Sequence, residues 1–465
     1  MTAHFSTWRL STWPQALAVY RDRRMLAILA LGFASGLPLA LTGSTLGLWL
    51  AESGVSKTSV GLFILVAMPY TLKFLWAPVI DRLPLPGLTT RLGRRRGWIL
   101  FSQGLVMVAI LALATTAPAQ EPWWTALFAL LLAFCSASQD IGIDAWRVEI
   151  LERCQYGAGA ATVVLGYRFG MLTSGAGALY LAQALPWPQV YALMAGLMAL
   201  GMLCVLLMPE PAPPPPPATE TAFAHRLAQR WPQLGPRGQA ILASLYGAVV
   251  APFLQFSSRE FWFVLLLFIA LYKLGDVMAG LMAGFFYLEL GFTKAEIASV
   301  SKVFGLVATI AGGLLGGVAV RHWGITRALL VCGALQMLSN FMYVLLALTG
   351  YSLPMLTVVI GVENLTGGMA TIAFVAYLSS LCAVAYTATQ YALLSSFAGV
   401  GRDLLGATSG WLADQMSWAS YFSVTAVMAL PGLTLLLWLL RYGNTAGQDS
   451  PDTTETPDPA ETNVK

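Results

Sequence analysis

The sequence predicts an all-α integral membrane protein with twelve transmembrane helices in two pseudo-symmetric six-helix halves. Three observations predict it. Hydrophobic residues make up 57% of the chain and charged residues only 10%, against roughly 25% charged in soluble globular proteins. Apolar runs of the ~20 residues that cross a hydrocarbon core recur along its length. These runs divide into two sets of six around one polar, proline-rich stretch. The expected organisation is an N-terminal arm (1–24), a first half (25–208), a linker (209–259), a second half (260–440) and a tail (441–465).

In chain order, the arm ends in "RDRR" (21–24), which leads into a full-length span rather than a cleavable signal. The first six spans are placed at 25–50, 58–80, 97–117, 122–145, 158–182 and 188–208. The linker opens on "PEPAPPPPPATETA" (209–222), a stiff extended tether. Its second part, "GQAILASLYGAVVAPFLQF" (238–256), approaches span length, but Pro252 interrupts it and basic residues flank it, so an interfacial helix is expected. The second six spans are placed at 260–288, 296–319, 326–348, 353–382, 387–413 and 418–440. The tail, "GNTAGQDSPDTTETPDPAETNVK", is acidic and polar and is expected to be disordered.

Basic residues orient the spans. With both termini inside, 19 of the 26 Lys and Arg fall on inner segments, two (Lys57 and Lys294) fall outside and five lie within spans. That asymmetry predicts cytoplasmic termini, and a crossing in the linker would destroy it. The five cysteines are scattered through apolar segments without a CxxC or Cys/His pair, so neither a disulfide framework nor a metal site is expected.

The halves resemble each other. "SGVSKTSVGLF" (53–63) recurs as "LGFTKAEIASV" (290–300), aligning Gly54 with Gly291 and Lys57 with Lys294. The basic turn "DRLPLPGLTTRLGRRRG" (81–97) is answered by "VRHWGITR" (320–327), and Arg168 in span 5 by Arg402 in span 11. Two parallel repeats joined by an inner linker is the architecture of the major facilitator superfamily. The Asp81-Arg82 and Gly-Arg-Arg-Arg elements resemble that superfamily's signature between spans 2 and 3, stretched by an insertion.

Ten ionisable residues lie inside spans: Lys73, Asp140, Asp144, Arg168, Lys273, Asp276, Lys302, Glu363, Arg402 and Asp403. Each costs at least ~2.5 kcal/mol at a helix centre, so they are expected to pair or to face a hydrated cavity between the halves. Asp144 at a helix end suits a pair with Arg147, and Lys273 and Asp276 are spaced for an intrahelical pair. Lys73 suits either a neighbouring carboxylate or the solute. Asp140, with Ser136 and Gln139 on the same helix face, is expected to look into the bundle. A buried carboxylate held by a cation gives a physical basis for proton coupling, because protonation weakens the pair and biases the conformational equilibrium. Asp140, Asp276 and Glu363 are the proton-coupling candidates. Gln139, Asp140, Arg168, Lys273, Lys302, Asn364 and Gln390 are the candidates for binding an anionic, hydrogen-bonding solute. Tyr70, Trp76, Tyr167 and Tyr272 are candidate aromatic platforms. No phosphate-cradling GxxxxGK[ST], His cluster or HExxH is present, so an enzyme is not expected, and a gradient must supply the energy without a cofactor.

Seven stretches in order carry a more specific resemblance: "LGFASGLPLALTGSTLGLWL", "LKFLWAPVIDR", "GRRRGW", "AFCSASQDIGIDAW", "GAGAATVVLGYRFGML", "LYKLGD" and "ATQYALLSSFAGVGR". Together they resemble the AmpG muropeptide permease family of Gram-negative bacteria. The resemblance implies a multi-pass inner-membrane importer of GlcNAc-1,6-anhydro-MurNAc, usually bearing a short peptide. Transport is implied to depend on the proton-motive force and to serve peptidoglycan recycling, with a link to β-lactamase induction. Its span-4 motif falls on Ser136 to Asp140, implicating Ala137, Gln139 and Asp140. Its span-1 and span-5 motifs place Gly36 and Gly166 at close helix approaches, and Asp81, Arg82 and Arg402 are expected in packing or gating. Some family members carry about two further C-terminal spans. The expected partners are the small solute, protons and the bilayer, with no nucleic acid, and a monomer is expected. Two readings stand beside this one: a related transporter of another anionic or amphipathic solute (acetyl-CoA-like or drug), or a non-transporting receptor. A drug exporter would suit a less charged cavity, and a receptor would not need balanced midplane charges.

Overall fold

The computed structural model describes residues 18–55, 63–212, 246–406 and 408–442, single residues within 223–242, and only the backbone of 64, 248, 249, 294, 302 and 401–406. Twelve helical segments occupy the places of the expected spans. They are α1 (Arg23–Glu52), α2 (63–82), α3 (Arg94–Ala114), α4 (Pro122–Ile150), α5 (156–182), α6 (Trp187–Leu207), α7 (Trp262–Glu289), α8 (Ala295–Trp323), α9 (Ile325–Thr349), α10 (Leu353–Ser380), α11 (Thr387–Gly406) and α12 (Trp418–Tyr442). Nine of these, among the described residues, are long and apolar enough to cross a membrane. The other three are α2, α5 and α11, and each has a local reason. In α2 the chain alternates short 3-10 and α turns, and Pro69 and Pro78 each sit in the first turn of a new α segment, where a missing N–H is harmless. Helix α5 is rich in Gly and Ala rather than Leu and relaxes into a π turn at Thr173–Gly177. Helix α11 is long enough at 20 residues but polar, with Thr387, Thr389, Gln390, Ser395, Ser396, Arg402 and Asp403 along it.

The repeat is visible in the backbone. Gly54 after α1 and Gly291 after α7 have φ of 79° and 90°, and Gly93 before α3 and Gly324 before α9 have φ of 89° and 80°. Glycine reaches these left-handed conformations without a Cβ clash, so each half starts and stops its helices with the same residue. Asp22 caps α1 by accepting from the Arg24 N–H at 2.9 Å, which satisfies one orphan donor of the first turn.

Within the first half, α1 and α5 cross with small residues at the contact. Gly36 faces the backbone of Tyr167, and Gly166 faces the backbone of Leu29 and Phe33; an added methyl at either position would overlap a carbonyl. Helices approach this closely in membranes because dispersion contact replaces the hydrophobic drive. Leu26, Leu203, Val307 and Leu338 are exposed on the outside of the bundle, and Trp123, Trp124, Tyr180 and Trp411 are exposed towards helix ends, where amphipathic rings anchor at a bilayer interface. All five cysteines are free thiols. Of the interfacial helix expected at 238–256, the described part is a π turn at Tyr246–Val250 followed by Ala251–Ser257.

Candidate functional site

The two halves are bonded together at the end of the bundle where α1 begins and α12 ends, here called the terminal face. Asp81, at the end of α2, is buried and accepts from both the N–H (2.8 Å) and the Oγ1 (2.7 Å) of Thr389 in the first turn of α11. Its other oxygen accepts from Arg95 at 2.7 Å, and Arg95 also pairs with Glu149 of α4. Arg95 is 1% exposed, so two carboxylates on one guanidinium are what make its burial tolerable. Glu210 then accepts from the N–H groups of Arg95 (2.8 Å) and Arg96 (3.0 Å), tying the start of the linker to the first turn of α3. Arg82 lies over the Tyr386 ring. Arg147 is buried, donates to Ser379 of α10 at 3.2 Å and lies 5.3 Å from the centre of the Tyr391 ring. Gly157 of α5 packs directly on Gly317 and Val320 of α8, and Tyr20 donates to the Leu314 carbonyl at 3.2 Å.

Beyond this seal, polar groups gather in two clusters. In the first half, Ser35 of α1 donates to Asp140 Oδ1 at 2.6 Å. One turn further along α4, Asp144 is held by Arg147 at 3.4 Å and by Lys73 of α2 at 3.8 Å. Arg168 is half-buried and, among the described residues, has no hydrogen-bond or ion-pair partner. It continues the α5 stripe of Gly157, Ala161 and Val164, which packs on α8 and α10, so it lies on the face of α5 turned towards the other half.

In the second half, Lys273 donates to Asp276 Oδ2 and to Thr371 Oγ1, each at 2.8 Å. The other Asp276 oxygen accepts from Gln336 Nε2 of α9 at 2.7 Å. Glu363 Oε2 accepts from Asn364 Nδ2 at 2.8 Å, and Asn364 Oδ1 accepts from Thr309 of α8 at 2.8 Å. A cavity of about 440 Å³ opens between the ends of α7 and α8 distant from the terminal face, lined by residues such as Gly280, Gly284, Tyr287 and Ser301.

The candidates therefore separate by place. Asp140, Arg168, Lys273, Asp276 and Glu363 all sit beyond the seal. Two others lie elsewhere than expected. Gln139 does not line the gap between the halves: it is fully buried with both amide atoms unpaired, on the side of α4 that meets α3. Gly142 touches Ile99 there, and one turn on in each antiparallel helix come Gln139 and the equally buried, equally unpaired Gln103. Gln390 belongs to the seal. Its Oε1 accepts from the Ala383 N–H (2.8 Å) and its Nε2 donates to Gln255 Oε1 (2.6 Å), so it pins the linker helix. Asn364 has both amide atoms engaged within its own half. Ala137 is buried in helix packing. The side chains of Lys302, Arg402 and Asp403 lie outside the described residues. Of the aromatic candidates, Tyr272 is structural, donating to the Leu329 carbonyl at 2.8 Å and stacking on Phe374 at 5.2 Å. Trp76 donates to Ser138 at 3.0 Å. Among the described residues no group of three His, Cys, Asp or Glu is placed to hold a metal.

The sequence reading missed Ser35, Thr371, Gln336, Asn340 and Tyr343. The last three were findable, because their spacing in "GALQMLSNFMYV" (333–344) puts them on one helical stripe.

Comparison with known proteins agrees with this architecture. The family model for the Major Facilitator Superfamily matches residues 28–402, with a second match over 287–463. The chain is 42% identical over 425 residues to the anhydromuropeptide permease of Escherichia coli (strain K12), covering 91% of this chain and 81% of that one. It is 34% identical over 430 residues to "Putative transporter AmpG 4" of Rickettsia felis, covering 92% and 99%. Among solved structures, an Escherichia coli fucose:proton symporter superposes with a TM-score of 0.62 at 11% identity, covering 89% of this chain and 98% of that one. A proton:xylose symporter gives 0.60 at 12% identity, covering 92% and 95%. The two symporters share the fold, and the two sequence relatives share far more: the chain belongs to the AmpG permease family of multi-pass membrane transporters within the major facilitator superfamily.

Proposed function

We propose that this protein imports anhydromuropeptides, GlcNAc-1,6-anhydro-MurNAc with or without a short peptide, across a bacterial inner membrane by alternating access, driven by protons and without a cofactor. The observation that carries this reading is the 42% identity to an anhydromuropeptide permease over 91% of the chain, together with a site whose chemistry suits that solute. Arg168 is a cation without a counter-ion among the described residues, on the face of α5 turned towards the other half. A muropeptide brings carboxylates to such a group and hydroxyls and amides to its surroundings, and a guanidinium takes a carboxylate in two parallel hydrogen bonds.

Cytoplasmic termini follow from the charge asymmetry of the loops. With that orientation the sealed terminal face is the inner one, so this conformation faces the periplasm, where the solute would enter. The proton carriers would be Asp140, Asp276 and Glu363. Asp276 is held by Lys273 and Asp140 by Ser35, and protonating either loosens its contact. Peptidoglycan recycling, and through it β-lactamase induction, would be the physiological setting, with the monomer as the working unit.

The test is uptake of labelled GlcNAc-anhydro-MurNAc-tripeptide by proteoliposomes holding the purified chain. Uptake that rises when the outside is acidified and collapses with a protonophore supports the proposal. Failure of folded protein to take up or exchange this solute refutes it.

A further inference from the structure

Asn340, on α9, is 1% exposed, yet neither its amide oxygen nor its amide nitrogen has a hydrogen-bond partner. One turn earlier, Gln336 uses Nε2 on Asp276 and leaves Oε1 unpaired. An unpaired buried polar group costs about 1–3 kcal/mol, so three such atoms on one stripe of an otherwise apolar helix need a physical account. The same two side chains, with Tyr272, Lys273, Asp276 and Gly333, line a cavity of about 10 Å³. That is room for one water, and the lining supplies the several polar partners a buried water requires.

We propose that a water occupies this cavity, held by Gln336 Oε1 and the Asn340 amide, and that it relays protons between Asp276 and the Tyr343–Glu363 pair. The stripe Gln336, Asn340, Tyr343 runs from one carboxylate to the other. Gln336 is bonded to Asp276, Asn340 comes one turn later, and Tyr343 lies near Glu363, with its hydroxyl 3.5 Å from that of Tyr287. Among the described residues, the charged and titratable groups that face this path are Tyr272, Lys273, Asp276 and Tyr287 from α7, Cys332 and Tyr343 from α9 and Glu363 from α10. A proton on Asp276 passes to the water as the water passes another to the Tyr343 oxygen and Tyr343 passes its own to Glu363, so water and phenol end unchanged and one proton has moved. The two carboxylates then act as one unit. Whether Lys273 keeps Asp276 as its partner depends on the protonation of a group on another helix. This assignment rests on the proton-coupled reading above and names residues of α9 that a coupling site confined to carboxylates and cations leaves out. Gln336 and Asn340 are positioning residues, acting through the water.

Two measurements test it. Difference infrared spectroscopy of the purified protein through a pH drop, in H2¹⁶O and in H2¹⁸O, should show an isotope-shifted O–H stretch of a buried water that disappears in Asn340→Leu. In proteoliposomes, Asn340→Leu should lose about tenfold or more of pH-gradient-driven accumulation of the labelled tripeptide derivative. Its exchange at equal pH should stay within about twofold of the parent, and Asn340→Ser, which still hydrogen-bonds water, should recover accumulation. Gln336→Met substitutes for Asn340→Leu if the latter does not fold. No isotope-sensitive band in the parent protein overturns the inference. So does unchanged accumulation in the Leu variant, or equal loss of exchange and accumulation, which would mean a packing role. If the parent exchanges solute but ignores a pH gradient, proton coupling itself fails, and the infrared band still decides whether the water is there.

Discussion

Thr389→Val is the sharpest probe of what holds the terminal face shut. Valine keeps the volume and the backbone N–H of Thr389, so Asp81 loses only the Oγ1 hydrogen bond of 2.7 Å and keeps the N–H bond of 2.8 Å and its Arg95 partner. A hydrogen bond to a charged group contributes about 1.5–3 kcal/mol, and this one joins the two halves, so it is lost when they separate at this face. At ~1.4 kcal/mol per decade, its removal should shift the equilibrium about 10- to 100-fold towards the unsealed state. An unsealed population of about 1% would then rise to about 10–50%. Spin labels at Leu83→Cys and Val384→Cys, both exposed and on opposite sides of the seal, report this as a second, longer distance in double electron–electron resonance in nanodiscs, with the native cysteines replaced by serine. A distance distribution that matches the parent within about twofold in population would refute the view that Asp81 and Thr389 hold this conformation.

Four further outcomes follow from the same geometry. Asp140→Asn is expected to leave the protein folded and inserted but to abolish proton-driven accumulation; unchanged accumulation would remove Asp140 from the mechanism. Arg168→Gln should raise KM for the tripeptide derivative about tenfold or more, the loss of a charge-assisted contact, and change KM for the sugar lacking peptide carboxylates less; equal KM for both in variant and parent would contradict an anion-binding role. Gly166→Val places a branched side chain against the backbone of Leu29 and Phe33, an overpacking cost of about 1–3 kcal/mol or more, and should lower the unfolding midpoint in detergent by several degrees. Glu210→Gln keeps one acceptor oxygen where the carboxylate offers one to each of the two α3 N–H groups, so it should lose one of those hydrogen bonds and destabilise less than Glu210→Ala, which loses both, in the same unfolding assay.

The helices were legible in the sequence because crossing a hydrocarbon core demands long apolar runs, and backbone bonding within a helix is local. The repeat was legible for a related reason: Gly54 and Gly291 are fixed by left-handed turns that any copy of the motif must make. The Lys273–Asp276 and Asp144–Arg147 pairs were legible because i, i+3 neighbours meet on any helix. Other features were blurred by averaging. A hydropathy window sums over all faces of a helix, so the polar stripe of α9 vanished into an apolar mean although its spacing was in view. The breaks in α2 and α5 were hidden in the same way, because proline and glycine lower a mean less than they disturb a backbone.

Hydropathy, loop charge and the internal repeat were enough to show a chain that spans a membrane in two related halves, and which ionisable residues had to find partners there. The sequence also carried the family resemblance, in seven ordered stretches. Who the partners are came from the folded bundle. Asp81 meets Thr389, 308 positions away, and Gln390 meets Gln255 of the linker, because folding brings distant helix ends to one face. Asp140 found Ser35, and Arg168 was left with no counter-ion among the described residues. Which helix faces meet is settled by packing the whole bundle, including its glycine crossings, and that is a property no single helix carries.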